Sequence, residues 1–329
     1  MNNGLFKRLH AEGQLDDPEL QRIEEKNAAP LVSVHWDLRT MLYLGILLLS
    51  SGMGIFIYKH INAIGHMVIV AAIGVLCTAC FVYCFRLRVP YSNDKVESPN
   101  LWFDYVLLLG CLLMVTFVGY LQYQYHAFGT EWGLATFLPM LALFFCAYYF
   151  DHKGILSMAI TSLAAWMGIA VQPERLIDYD QFGNDTVLWS AMALGLMLHL
   201  FSYLSTYRGV KAHFAFSYKN FGIHILLVAL LAAMFKADGA YYLLWFLGLA
   251  AVCAFHFWEA IKQSAFYFFM VATLYGYIGI STVLVRALFS GNGSEGVTYL
   301  LFMYFIASAI GVIMLLIRYN KKLKQHDGL

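Results

Sequence analysis

Apolar runs of about twenty residues follow one another almost without interruption from residue 40 to residue 318, and this restricts the chain more than any other feature. A helix rising ~1.5 Å per residue needs ~20 apolar residues to cross ~30 Å of hydrocarbon. Ten segments have that character, near 40–58, 66–85, 101–121, 132–150, 153–171, 186–206, 220–236, 239–258, 264–286 and 297–318. Lipid offers the backbone no hydrogen-bond partners, so a lipid-exposed segment must satisfy its own, as a helix does. Strands of a barrel would alternate in polarity, and these runs do not. The expected fold is an all-α integral membrane protein, a bundle of about ten transmembrane helices. Composition agrees, at 61% hydrophobic and 12% charged residues, where soluble domains have roughly half and a quarter.

Three parts are expected: a cytoplasmic helical hairpin over 1–39, the transmembrane domain over 40–318, and a basic tail over 319–329. In the first part Leu5, Phe6 and Leu9 share a helix face, and Gly13 can end that helix. Asp17 then suits an N-cap, followed by Pro18 and Glu19 in a first turn. No cleavable signal pattern precedes the first apolar run. Orientation follows from the cations. With the N-terminus inside, every Lys and Arg of the 21 falls on the cytoplasmic side except Lys59, Arg175, Lys236 and Arg286. This positive-inside bias places both termini in the cytoplasm of a cell membrane. Tyr120, Tyr123 and Tyr125 fit an interfacial belt at an outer boundary. Small residues at four-residue spacing, Ser50 with Gly54 and Ala307 with Gly311, suit close helix packing.

A net charge of +1 gives no support to nucleic-acid binding, and the six cysteines all lie in apolar runs, outside any disulfide framework. Cys77, Cys80 and Cys84 share one helix face. A soft metal would suit such thiolates, but cysteine is also an ordinary small packing residue, and packing is the expected role. The loop 172–185 is acidic and opens like a calcium loop, yet Phe182 stands at a ligand position and Trp189 at the twelfth. No metal and no cofactor is expected.

Ionisable groups inside spans are costly and point to function by default. Asp104, His199, His224, His256 and Glu259 all fall toward the cytoplasmic side on this topology. His256 and Glu259 are three apart and share a helix face. Together these residues could line an inward-facing cavity, passing a proton or holding a polar headgroup. The competing reading puts Asp104, His224 and Glu259 at span ends among headgroups, where they need no role. Pro139 is the one proline inside a span and would kink it, leaving the Ala135 carbonyl in need of a partner.

The hairpin Leu9-His10-Ala11-Glu12-Gly13-Gln14-Leu15 leads to Glu19-Leu20-Gln21-Arg22-Ile23, and a glycine-bearing first span runs from Leu44-Gly45 to Ser51-Gly52-Met53-Gly54. A short turn is expected at Tyr58-Lys59-His60-Ile61-Asn62, where the family pattern often has Asn-Trp. In these features the first 85 residues resemble an uncharacterised family of bacterial multi-span proteins with a domain of unknown function. The resemblance implies a bacterial cytoplasmic membrane and leaves activity open.

Three function classes remain. The first is a carrier of a small or lipid-like solute, using the inner-side polar residues and the Pro139 kink. The second is a non-catalytic scaffold or regulator that binds a cytoplasmic protein through residues 1–39. The third is an enzyme acting on a lipid-linked substrate at the cytoplasmic face. No Walker loop, nucleophile elbow, zinc-protease motif or dinucleotide fingerprint supports the third.

Overall fold

Each apolar run becomes a helix, and the breaks between them fall where the chain supplies glycine, charge or a left-handed residue. A computed structural model of the protein describes residues 34–129, 133–168, 185–263, 265–289 and 295–326, with His10, Asp16 and Glu19 ahead of them. Of the expected hairpin over 1–39, residues 34–39 are helical and continuous with the first span; its remainder, apart from those three residues, and the acidic loop up to residue 184 lie outside the described residues. Ten helices occur among the described residues: α1 Val34–Ile64, α2 His66–Arg86, α3 Leu101–Tyr125, α4 Gly133–Phe150, α5 Lys153–Trp166, α6 Asp185–Arg208, α7 Ala215–Lys236, α8 Tyr242–Lys262, α9 Phe266–Phe289 and α10 Glu295–His326. No strand occurs among them. Single 3-10 turns, Ala212–Phe214 and Gly239–Tyr241, lead into α7 and α8.

Among the described residues eight helices, α2 to α4 and α6 to α10, are long and apolar enough to cross a membrane, and α1 carries a shorter apolar stretch, Thr40–Phe56. The protein is a helical membrane protein. Two segments differ from expectation. The first helix does not turn at 58–62 but runs on to Ile64, because nothing before Gly65 breaks it; Gly65 has φ 82°, which glycine adopts without steric penalty. In the segment expected over 153–171, α5 takes up 14 residues, about 21 Å, and the described part ends in a turn at Met167 and Gly168.

The chain divides into two units, Met1–Cys84 with Leu101–Leu113, and Phe85–Asn100 with Met114–Leu329. In the first, the cysteine face of α2 packs against α3. Cys80 and Cys84 are buried, the Cys77 thiol lies 3.5 Å from the Gly110 carbonyl, and a Cβ at Gly110 would come within 3.1 Å of Cys80 Cβ. Tyr43 and Tyr105 meet edge to face at 5.2 Å. Asp104 belongs to this unit and is buried on α3.

In the second unit the core is formed by α6 to α9, around Leu188, Ile223, Leu227, Met234, Leu249 and Phe268. Helices α6 and α7 cross closely, backbone against backbone. A Cβ at Gly195 would stand 2.8 Å from Leu226 Cβ, and one at Gly222 would stand 3.1 Å from the Gly195 carbonyl. Only glycine permits this spacing, as at other small-residue crossings in membranes. At the glycines of the two small-residue pairs, Gly54 and Gly311, a Cβ would meet nothing within 4 Å among the described residues. Pro139 is buried inside α4, which continues through it from Gly133 to Phe150.

Candidate functional site

The α6–α7 crossing brings His199 against the backbone of α7. A Cβ on Gly222 would lie 2.8 Å from His199 Nδ1, so the missing side chain makes the space the imidazole occupies. One turn back on its own helix, the Gly195 carbonyl stands 2.7 Å from the same Nδ1. A carbonyl can only accept, so Nδ1 carries the hydrogen and donates it. Nε2 of His199 is then left with its lone pair in the neutral ring. It lies 3.1 Å from Nε2 of His256 on α8, which must be the donor in that bond. The two rings are 5.0 Å apart between centroids.

His256 is 1% exposed and has now spent its one hydrogen on Nε2. Its Nδ1 has no hydrogen-bond partner, and the nearest polar atom is Oε2 of Glu259, one turn along α8 at 3.6 Å. Glu259 spends its other oxygen on Lys219 of α7, with Oε1 and Nζ 2.7 Å apart. Lys219 is buried, and its ammonium sits 4.3 Å from the centroid of the Phe268 ring. Four polar side chains from three consecutive helices therefore form one line: His199, His256, Glu259, Lys219.

Of the five ionisable residues singled out in the sequence, three meet in this line. His224 does not. It lies on α7 between two tyrosine hydroxyls of α9, Tyr275 at 3.1 Å and Tyr267 at 3.0 Å, and Tyr267 in turn donates to Asn220 at 2.6 Å. Asp104 belongs to the other unit. A bis-histidine haem would need the two ligating nitrogens about 4 Å apart, twice a metal–nitrogen bond of ~2.0 Å. The His199–His256 separation is shorter, so the pair as it stands has no place for an iron between its nitrogens. Among the described residues no three His, Cys, Asp or Glu side chains cluster as metal ligands.

A second polar cluster forms around Asp151, in the turn between α4 and α5, and none of its residues is among the candidates singled out in the sequence. Asp151, at φ 57°, receives the Val96 amide at 2.6 Å and the Lys211 ammonium at 3.1 Å on one oxygen, and His213 on the other. Lys211 is fully buried, and its amide donates to the Asn93 carbonyl at 2.8 Å. Ser205 donates to the carbonyls of Val210 and Lys211. His152 caps α5 by accepting from the Ile155 amide at 3.2 Å. The cluster ties the segment after α2 to the α4–α5 turn and to the α6–α7 connection. Each residue stands at the edge of an apolar run, where a solvated charge and a buried one look alike in sequence.

These helices and clusters frame the comparison with known proteins. Residues 7–156 match the model of a family described as a predicted membrane protein, DUF2157. The resemblance carried by the first 85 residues falls inside that match. It extends through α1 to α4 and ends within the first turn of α5, including Asp151 but stopping before His199, Lys219, His256 and Glu259. The His–His–Glu–Lys line thus lies wholly in the part of the chain beyond the family match. No curated protein and no solved structure matches the chain.

Proposed function

We propose that the protein is a carrier of a small or lipid-like solute in the bacterial cytoplasmic membrane, with both termini on the cytoplasmic side. The observation that carries this reading is the line His199–His256–Glu259–Lys219, drawn from three apolar helices. Placing a charged side chain within a bilayer costs about 2.5–3.5 kcal/mol on insertion scales, so such groups persist where they serve a pathway. A scaffold that acts through residues 1–39 has no need of a buried polar line among its spans. Carriers use such lines to hold a polar group and to link its passage to an ion. The unequal distribution of Lys and Arg supports the orientation.

The test is native mass spectrometry of the protein released gently from its own membrane. A reproducible bound solute or lipid is expected on the wild type, with its occupancy lost in folded His199→Ala and His256→Ala variants. A bare wild-type chain, or equal occupancy in all three, removes the carrier reading. A co-purifying protein that is lost only on deleting residues 1–30 would put the scaffold in its place.

A further inference from the structure

We infer that Nδ1 of His256 is a proton-binding site, and that the ion linked to the carrier's cycle is a proton; this rests on the carrier reading only for the second half. The first half follows from hydrogen-bond directions. The Gly195 carbonyl fixes the hydrogen of His199 on Nδ1, and that leaves His256 to donate from Nε2. The remaining nitrogen of His256 is buried, bare and aimed at a carboxylate. Two acceptors, a lone pair and Glu259 Oε2, face one another across 3.6 Å with no hydrogen between them. One added proton resolves this without moving any other hydrogen. It binds Nδ1 of His256, which becomes a donor to Glu259 Oε2.

The charges around the site are few. His199 comes from α6, Lys219 from α7 and Glu259 from α8 itself, while α9 contributes the apolar ring of Phe268 beneath Lys219. Before the proton arrives, Lys219 and Glu259 balance one another and the histidine pair is neutral. Afterwards the imidazolium and the ammonium share one carboxylate, and the line carries one net positive charge. The side chain of Glu259 is 21% exposed against 1% for His256, so the carboxylate is the outer member of the pair. With the proton in place, polar contacts run from Lys219 through Glu259, His256 and His199 to the Gly195 carbonyl, spanning α7, α8 and α6, with an ion pair at 3.6 Å between His256 and Glu259. Proton loss opens the line at a single position, between His256 and Glu259.

The test uses full-length protein in lipid bilayers, labelled with nitrogen-15 at histidine and followed by solid-state magnetic resonance from alkaline to acidic pH. His256→Gln assigns the signal by removing it. The expected result is that Nδ1 of His256 passes from bare to protonated while His199 keeps its hydrogen on Nδ1. Glu259→Gln keeps the shape but removes the anion, so a smaller protonated fraction is expected at the same pH. Lys219→Gln removes the opposing cation, so a larger fraction is expected. The inference is overturned by a His256 Nδ1 that is protonated throughout, one that is bare throughout, a first proton on His199, or stoichiometric zinc on the purified protein. No solute is needed for this readout. A protonating His256 in a protein that carries nothing would therefore sink the carrier reading alone, and solute transport with an inert His256 would sink only the proton site.

Discussion

A methyl group at position 222 has no room: it would meet His199 Nδ1 at 2.8 Å and the Gly195 carbonyl at 3.1 Å. Overpacking of this kind costs about 1–3 kcal/mol. Gly222→Ala is therefore expected to lower the melting temperature in lipid and to part His199 from His256. Gly248→Ala is the control, since its new Cβ would meet Leu230 at an ordinary 3.5 Å, and its melting temperature should stay near that of the wild type. Asp151 and Lys211 make a second test at this scale, because their side chains are 1% and 0% exposed. Removing one member of a buried pair strands the other and costs about 3–5 kcal/mol, while replacing both with well-packed neutral groups costs much less. Asp151→Asn should destabilise strongly, and adding Lys211→Met should restore part of the loss in the same thermal assay. None of the residues in these two tests announces its role in sequence. A glycine in an apolar run is usual, and whether its hydrogen faces lipid or a histidine depends on a helix that lies elsewhere in the chain.

Helix ends show why two of the four cations on the outer side of the expected topology are where they are. Arg286 on α9 donates to the carbonyls of Phe235 at 2.6 Å and Ala237 at 2.7 Å, and its guanidinium lies 4.9 Å from the Tyr242 ring centroid. It thus serves the C-terminus of α7, whose last carbonyls lack helical partners and carry partial negative charge. Lys236, in the last turn of the same helix, pairs with Asp185 at 2.9 Å. Hydrogen bonds to a charged group contribute about 1.5–3 kcal/mol. In Arg286→Ala, faster amide exchange is expected around residues 235–241, with α6 unchanged. The helices themselves were legible in sequence because hydropathy and length are local properties. Their ends were less so. The first helix passed the aromatic stretch at 58–62 and stopped at Gly65, and α5 stopped at Trp166, where Gly168 takes a left-handed backbone. The face shared by His256 and Glu259 was visible from their spacing, whereas their meeting with His199 and Lys219 needed the crossings of three helices.

For the molecule as a whole, the topology can be read with reporters. On the proposed orientation a fluorescent protein fused to either terminus should fold and fluoresce in the cytoplasm, and a periplasmic phosphatase fused at the same points should be inactive. An active phosphatase at one end would require an odd number of crossings and would end the positive-inside assignment. The last helix adds something else. α10 has 32 residues, so it is about 48 Å long, against ~30 Å of hydrocarbon. Tilting takes up part of the surplus, and the rest has to leave the lipid as helix. The sequence places Lys321, Lys322 and Lys324 on that protruding stretch. Their backbone continues the rise of α10 as helix, so the basic end of the chain is an extension of a span and its length is set by the helix pitch.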